Sequence, residues 1–345
     1  MRIIGYFRRT RYWQVYAFNN LPEGYKKKRS LEVPFNWLKN SQFLAHTKFV
    51  VPFQNVDLYH SYNSIVTGHK PWVIEVESQV PRFGPDLKKG NRKFDWAVNK
   101  LRSEKCKAII FTSECTKKLN SDNFKKWGID ENKCQVIYRA VEPYEPLQRD
   151  GNEKMFTILF VGNAFYRKGG LELLKAFKHF NKDDARLIII SNLELDWAVY
   201  PTEEEVNFVR REIEENNQIE HYQKLPHEKV IHWMRKSDVF VSTTHADPFN
   251  NTILEALACE VPAITSDVRA TPEFIKDGYN GFLTSLDNQK EEKTIQFIQK
   301  KLESYYSDNE LLTKHKKNAK DIIQDKFVLR HRNNKLKKIY DKSSS

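Results

Sequence analysis

Short apolar runs alternate with longer amphipathic stretches along the whole chain, and this rhythm narrows the possible folds more than any other feature. Runs such as 156–161 and 187–190 are too short for helices and too continuous for strands with one wet face, so they read as strands buried on both sides. The pattern predicts strands over 2–6, 48–51, 58–60, 72–76, 108–112 and 135–138, then over 156–161, 185–191, 239–242, 263–265 and 281–283. Helical spacing fills 95–105, 114–126, 169–180, 203–216, 227–236, 252–259 and 271–277, and the tail from Lys290 is charged and helical. Strands alternating with helices build parallel sheets covered by helices, so the expected class is α/β.

At 345 residues the chain exceeds one ordinary core. The polar stretch 142–154, with two prolines and a glycine, is the natural linker. The expected organisation is a trimmed N-terminal domain over 1–148, a second domain over 149–325, and a last helix over 326–345 that returns to the first domain. Both domains are expected to be doubly wound, facing across a cleft, and no internal repeat of fixed period is present.

The formal charge of +12 is unevenly placed. Residues 1–150 hold 27 Lys/Arg against 15 Asp/Glu, whereas residues 151–345 hold 30 of each. An excess confined to one half points to an anionic partner: nucleic acid, a membrane surface or a phosphorylated substrate. Cys106, Cys115, Cys134 and Cys259 form no C-x-x-C pair or zinc spacing. With no signal-peptide core at the start and no apolar run of membrane-spanning length, these features predict a cytoplasmic protein with at most peripheral membrane contact.

Two segments carry chemistry. In Phe160-Val-Gly-Asn-Ala-Phe-Tyr-Arg-Lys-Gly-Gly a strand meets a helix through a glycine-bearing loop, with Gly162, Asn163, Arg167 and Lys168 where a helix N-terminus would face an anion. Lys168 supplies a point charge for a phosphate, and Arg167 either joins it or faces solvent. In Ser242-Thr-Thr-His-Ala-Asp-Pro-Phe-Asn-Asn-Thr-Ile-Leu-Glu, Asp247 and Glu255 stand on either side of a helix start, and Asn250, Asn251 and Thr252 suit its N-cap. Ile253, Leu254, Leu257 and Ala258 mark the core face, which leaves Glu255 off that face and accessible. Amides for phosphate oxygens and carboxylates for hydroxyls suit a phosphorylated, polyhydroxylated ligand.

These segments, with Thr271-Pro-Glu-Phe-Ile and Asp277-Gly-Tyr-Asn-Gly-Phe-Leu, resemble the retaining glycosyltransferases of family 4, which have the two-domain GT-B fold. The likeness covers roughly residues 155–285 with its spacing kept. It implies transfer of a hexose-type sugar from a nucleoside-diphosphate sugar to a glycan, glycolipid or lipid-linked acceptor, with no metal or other cofactor required. It further implies that Lys168 binds the donor diphosphate, Asp247 the sugar and Glu255 the ribose. Amides from Phe249 through Asn250 and Asn251 to Thr252 would hold the pyrophosphate, and Leu225 with the following Glu228 and Lys229 would flank the nucleobase.

In its second half the chain departs from the family pattern at four positions. Asn163 replaces an arginine, so Arg167 is expected to assist Lys168. Asp247 replaces a glutamate, shortening its reach by one methylene, and Asn250 replaces a glycine beside the sugar. Glu260 replaces a glycine whose backbone favours the left-handed region. In the first half, Glu77 stands where many members have a cleft histidine and Arg139 where many have asparagine, so both are candidates for the acceptor side, as is His245. Glu75 and Glu77 lie two apart on a strand, which permits an acidic metal pair, although a cleft-lining Glu77 without metal is the better reading. Two rival functions are a catalytically silent module of this fold and a nucleic-acid binder using Tyr12, Trp13 and Tyr16 beside Arg8, Arg9 and Arg11. Nucleic acid ranks as the unlikely partner, because no known binding motif is present.

Overall fold

The computed structural model describes residues 1–7, 20–33, 41–83, 90–145, 147, 155–286 and 291–343. The aromatic and arginine cluster at 8–16 lies outside them, as does most of the linker. The chain divides into two compact units, Met1–Val141 with Phe327–Ser345, and Glu142–Lys326.

The first unit contains β1 (Arg2–Tyr6), β2 (Tyr25–Arg29), α1 (Gln42–Ala45), β3 (Thr47–Lys48), β4 (Leu58–Tyr62), β5 (Ile65–Val66) and β6 (Trp72–Val76). It continues with α2 (Arg92–Arg102), β7 (Cys106–Phe111), α3 (Glu114–Trp127) and β8 (Cys134–Val136). Six strands form one parallel sheet in the order β2-β1-β4-β6-β7-β8, and β3 pairs with β5 in a small separate ladder. Residue parity sorts the faces. Trp72, Ile74 and Val76 pack with Ile109, Phe111 and the helix residues Ala97, Leu101 and Phe124, while Val73 and Ile110 belong to the opposite core.

The second unit contains β9 (Phe156–Val161), α4 (Gly170–Phe180), β10 (Ala185–Ile190), α5 (Glu203–Glu215), β11 (Ile219–Tyr222), α6 (His227–Lys236), β12 (Val239–Ser242) and α7 (Asn251–Ala258). After these come β13 (Ala263–Ser266), β14 (Gly281–Thr284), α8 (Glu291–Ser307) and α9 (Asn309–Ile322). Its sheet is parallel throughout in the order β11-β10-β9-β12-β13-β14. That is the doubly wound order, which reverses between β9 and β12 and leaves a crevice at their carboxyl ends. Every residue of β9 and β12 is buried, including the polar Thr157 and Ser242, as their mostly apolar runs predict.

A wide π turn at Ile323–Phe327 leads into α10 (Leu329–Ser343), which packs on the first unit. Leu336, Ile339 and Tyr340 complete the core that holds Val73 and Ile110. Arg332 donates to Glu75 Oε2 at 2.6 Å, and the Tyr340 hydroxyl lies 2.7 Å from His60 Nδ1, so a buried polar seam joins α10 to β4 and β6.

Three expectations need correction. β2 is a strand without any apolar run, held by its pairing with β1. The strand expected over 48–51 shrinks to the two residues of β3. The helix expected over 271–277 is one 3-10 turn at Thr271–Glu273. There the Asn280 side chain accepts from Lys276 N at 2.8 Å and donates to Phe274 O at 2.9 Å, closing a loop where further helical bonds would form.

Candidate functional site

The crevice of the second unit is built by the loops after β9 and β12, and these loops are latched together. Gly169 adopts φ +83°, and a Cβ there would stand 2.7 Å from the carbonyl oxygen of Thr243, so only glycine lets the loops approach. His245 N donates to Arg167 O at 2.8 Å, and Ser242 Oγ donates to Lys168 O at 3.2 Å. A Cβ on Gly162 would meet Lys168 Cδ at 2.4 Å, so this glycine clears the path of the lysine stem.

That path ends on the β12 loop. Lys168 Nζ lies 3.3 Å from Asp247 Oδ2 and donates to Asn250 Oδ1 at 3.4 Å. Asp247 Oδ1 accepts from Phe249 N at 3.1 Å, which fixes the turn, and Phe249 is buried against Phe274. Asn250 is the N-cap residue of α7 but makes no capping bond. Its amide instead donates to Ser242 Oγ at 3.3 Å, and its oxygen accepts from Thr252 Oγ1 at 2.6 Å. The first turn of α7 thus lacks a side-chain cap and presents its dipole beside the Lys168–Asp247 pair. Asn251 and Thr252 form that turn and are half-buried.

Glu255 corrects the sequence reading. It is buried, not set on an open face, because α7 packs against α6, α9, β12 and β13 and is covered from Ile253 to Ala258. Its Oε1 lies 3.9 Å from His227 Nδ1, at the start of α6. Burial lowers the pKa of His227 from its ordinary value. Leu225 is half-buried in the loop just before α6, with Glu228 and Lys229 exposed behind it.

Arg167 is the second correction. Its Nε donates to Asp196 Oδ2 at 2.8 Å, its Nη1 donates to the carbonyl of Ala246, and its guanidinium covers Trp197. It therefore holds the loop carrying Asp247 and does not join Lys168. Asn163 is exposed, and its carbonyl accepts from Phe165 N and Glu194 N. Glu260 adopts φ 60°, the left-handed geometry expected at that position, and Lys320 Nζ donates to its carboxylate at 2.6 Å.

His245 follows its loop away from Asp247. Its Nε2 meets Glu172 Oε1 at 2.5 Å, and it lines a cavity of about 280 Å³ whose walls include neither Lys168 nor Asp247. The hydrogen bond to Glu172 raises the pKa of His245 above its ordinary value, with burial opposing and the Glu172 charge adding.

In the first unit, Glu77 and Arg139 are brought together as partners of each other, at 2.6 Å. Tyr62 also donates to Glu77 and accepts from Arg139, while Asn63 Nδ2 and Arg82 Nη1 reach Glu77 Oε1 at 3.0 and 2.9 Å. Burial pushes the Glu77 carboxyl up, but Arg139, the Tyr62 hydrogen bond and Arg82 outweigh it and hold the pKa below the usual range. Glu75 binds Arg332 instead, so the two acids do not act as a pair. Among the described residues no cluster of three or more His, Cys, Asp or Glu side chains could hold a metal ion.

Sequence reasoning missed His227, Ser242, Tyr62 and Asp196. None has a local signal, since each meets its partner through strand order or long-range loop contact.

A family model for glycosyl transferases group 1 matches residues 146–322, just over half of the chain. The capsular polysaccharide biosynthesis glycosyltransferase CapM of Staphylococcus aureus is 27% identical over 237 residues, covering 65% of this chain and 56% of that protein. The uncharacterized glycosyltransferase MJ1069 of Methanocaldococcus jannaschii is 24% identical over 260 residues, or 72% and 62% of the two chains. The chain thus spans less than two thirds of the length of these curated relatives. Among solved structures, HepE of Anabaena in complex with UDP has a TM-score of 0.68 at 14% identity, covering 99% of this chain and 100% of that one. A glycosyltransferase from Rickettsia africae has a TM-score of 0.65 at 18% identity, covering 92% and 84%. These likenesses give the fold class, GT-B. The chain belongs to the group 1 glycosyl transferase family.

Proposed function

We propose that this protein transfers a hexose-type sugar from a nucleoside-diphosphate sugar, with retention of anomeric configuration, to a glycan or lipid-linked acceptor. The observation that carries the reading is the Lys168–Asp247 contact of 3.3 Å beside the uncapped first turn of α7, at the point where the sheet order reverses. A diphosphate in that crevice would draw Lys168 from Asp247, freeing the carboxylate to accept sugar hydroxyls. As the glycosidic bond breaks, negative charge grows on the diphosphate, and the Lys168 ammonium, once drawn to it, would with the helix amides stabilise that charge more than the ground state. The same groups offset the diphosphate charge without a metal. In this reading Glu255, buried beside His227, would take ribose hydroxyls, with Leu225 and the start of α6 against the base. No side chain is assigned as an obligatory base.

The relatives support the substrate classes. HepE was solved with UDP and glucose and with UDP-glucose, CapM acts in capsular polysaccharide biosynthesis, and a Campylobacter jejuni relative is an N-acetylgalactosaminyltransferase acting on a diphospho-undecaprenol. No helix among the described residues is long and apolar enough to cross a membrane. The protein is proposed to act in the cytoplasm, reaching a lipid-linked acceptor from the membrane surface.

The test is a thermal-shift panel of uridine, guanosine and adenosine diphosphates with their sugar conjugates. One base should stabilise the chain by about 2.7 kcal/mol at a hundred times its Kd, and Glu255→Ala should remove most of that shift. Stabilisation by none of them would assign the chain to a silent module instead.

A further inference from the structure

The β2 edge of the first unit carries a feature that neither the fold nor sugar transfer uses. Lys26, Lys27, Lys28 and Arg29 are consecutive and all exposed on an outer strand. Among the described residues no carboxylate pairs with Lys26, Lys28 or Arg29. A single lysine is enough to discourage strand addition at an edge. Three lysines and an arginine in sequence place positive charge on both faces of the strand.

The chain after β2 forms a rigid apolar platform. Val33 N donates to Phe49 O at 2.8 Å and Val51 N donates to Leu31 O at 3.2 Å. Gln54 clamps the same turn, accepting from Leu31 N at 2.6 Å and donating to Leu31 O at 2.9 Å. The acid in this platform, Glu32, is offset by Lys48 at 3.0 Å. Upon it Leu31 is 63% exposed, Val33 43%, and Phe53 wholly exposed. Phe53 also sits at φ 61°, a region that a bulky side chain occupies only under strain. The fold gains no burial from this ring in return.

We propose that β2 and the Leu31–Phe53 turn form a docking surface for an anionic membrane. Lys26, Lys27, Lys28 and Arg29 would meet lipid phosphates while Leu31, Val33 and Phe53 enter the interfacial layer. Nucleic acid fits less well, because two of the three exposed apolar side chains, Leu31 and Val33, are aliphatic, which leaves Phe53 as a single ring where a binding strand needs successive stacking platforms. The proposal deepens the reading of a lipid-linked acceptor and rests on it, and it gives a role to four of the 27 Lys/Arg of the first 150 residues.

The experiment is co-sedimentation of the full chain with vesicles of phosphatidylcholine, alone or mixed with phosphatidylglycerol. Binding should require the anionic lipid and weaken with salt. The double variant Lys26→Glu/Lys28→Glu should lower partitioning roughly 100-fold, while Lys118→Glu/Lys125→Glu on α3, with the same net-charge change, should leave it within a few-fold. Phe53→Asn, a residue that tolerates φ 61°, should lower binding roughly 10-fold without changing its salt dependence. Equal loss from both double variants, or no preference for anionic vesicles, overturns the proposal. So does tighter binding to labelled single-stranded RNA that the β2 variant abolishes. Nucleoside-diphosphate stabilisation, measured on the same variants, should persist. If that stabilisation is absent while vesicles still bind, the transfer reading falls and the docking surface stands.

Discussion

Each unit sets an ion pair at the carboxyl end of a parallel sheet, and the two pairs differ in how firmly they are closed. In the first unit Arg139 is 2% exposed and meets Glu77 together with Tyr62, while Asn63 and Arg82 complete the carboxylate's partners. In the second unit Lys168 and Asp247 keep 14% and 16% of their side chains in solvent, with a single contact of 3.3 Å between them. A buried guanidinium whose Nη2 holds both the Tyr62 and Glu77 oxygens is hard to displace, whereas an ammonium is a movable point charge. The sealed pair fixes the end of a sheet, and on the proposed reading the open one exchanges its partner for the donor diphosphate. Burial, partner number and the kind of cation thus set two ion pairs of the same sign pattern apart, one closed and one open.

Removing the cation from each pair tests that contrast most severely. Arg139→Ala leaves Glu77 without its main counter-charge and should cost about 3–5 kcal/mol, read as a drop in denaturant midpoint. The effect depends on pH. Because the folded pKa of Glu77 is depressed, its contribution is present above the ordinary value of 4.5 and lost as pH falls through the lowered one. In Arg139→Ala burial is less opposed, so that acid-sensitive part should shrink. Lys168→Ala should do the reverse: stability within about 1 kcal/mol of wild type, but transfer reduced roughly 10²–10³-fold. A folded Arg139→Ala with lost donor binding, or an unstable Lys168→Ala, would exchange the two roles.

The two glycines of the open site separate position from stability. Gly169→Ala drives a Cβ into the Thr243 backbone at a left-handed φ, so it should cost roughly 1–3 kcal/mol in thermal unfolding. Gly162→Ala pushes only on the flexible stem of Lys168, at 2.4 Å from Cδ. It should melt near wild type yet lose at least ~10-fold in turnover by misplacing the ammonium. If Gly162→Ala is fully active, the path of Lys168 is not what that glycine secures.

What the sequence made legible follows the range of the forces involved. Buried parallel strands such as β9, β10, β12 and β13 announce themselves as short, mostly apolar runs, and the loops bearing Lys168 and Asp247 follow from where those runs end. β2 was hidden because Tyr-Lys-Lys-Lys-Arg has no apolar period, and its extended form comes from pairing with β1. Glu255 looked accessible because a helical wheel assumes one buried face, whereas α6 and α9 cover α7 from distant parts of the chain. Arg167 and Arg139 looked available for ligands because their partners, Asp196 and Glu77, are 29 and 62 residues away. The spacing of charged residues shows which loops carry chemistry, but their partners are set by tertiary packing.

His245 sharpens the comparison at the smallest scale, because it belongs to the open unit yet is tied up like the residues of the closed one. Its contact with Glu172 raises its pKa, so its contribution is fully present below the ordinary value of 6.5 and fades as pH rises through the folded value. His46 in the first unit behaves oppositely: burial lowers its pKa to about 4, so its contribution is present above 6.5 and lost as pH falls toward that value. His245→Gln should therefore flatten only the alkaline side of a plot of melting temperature against pH, by less than about 1 kcal/mol after solvent screening. His46→Gln should flatten only the acid side. Turnover of His245→Gln should stay close to wild type, since the imidazole faces Glu172 and the cavity beside it, not Lys168 or Asp247. A large loss of turnover with an unchanged melting profile would move His245 from the scaffold into the transfer site.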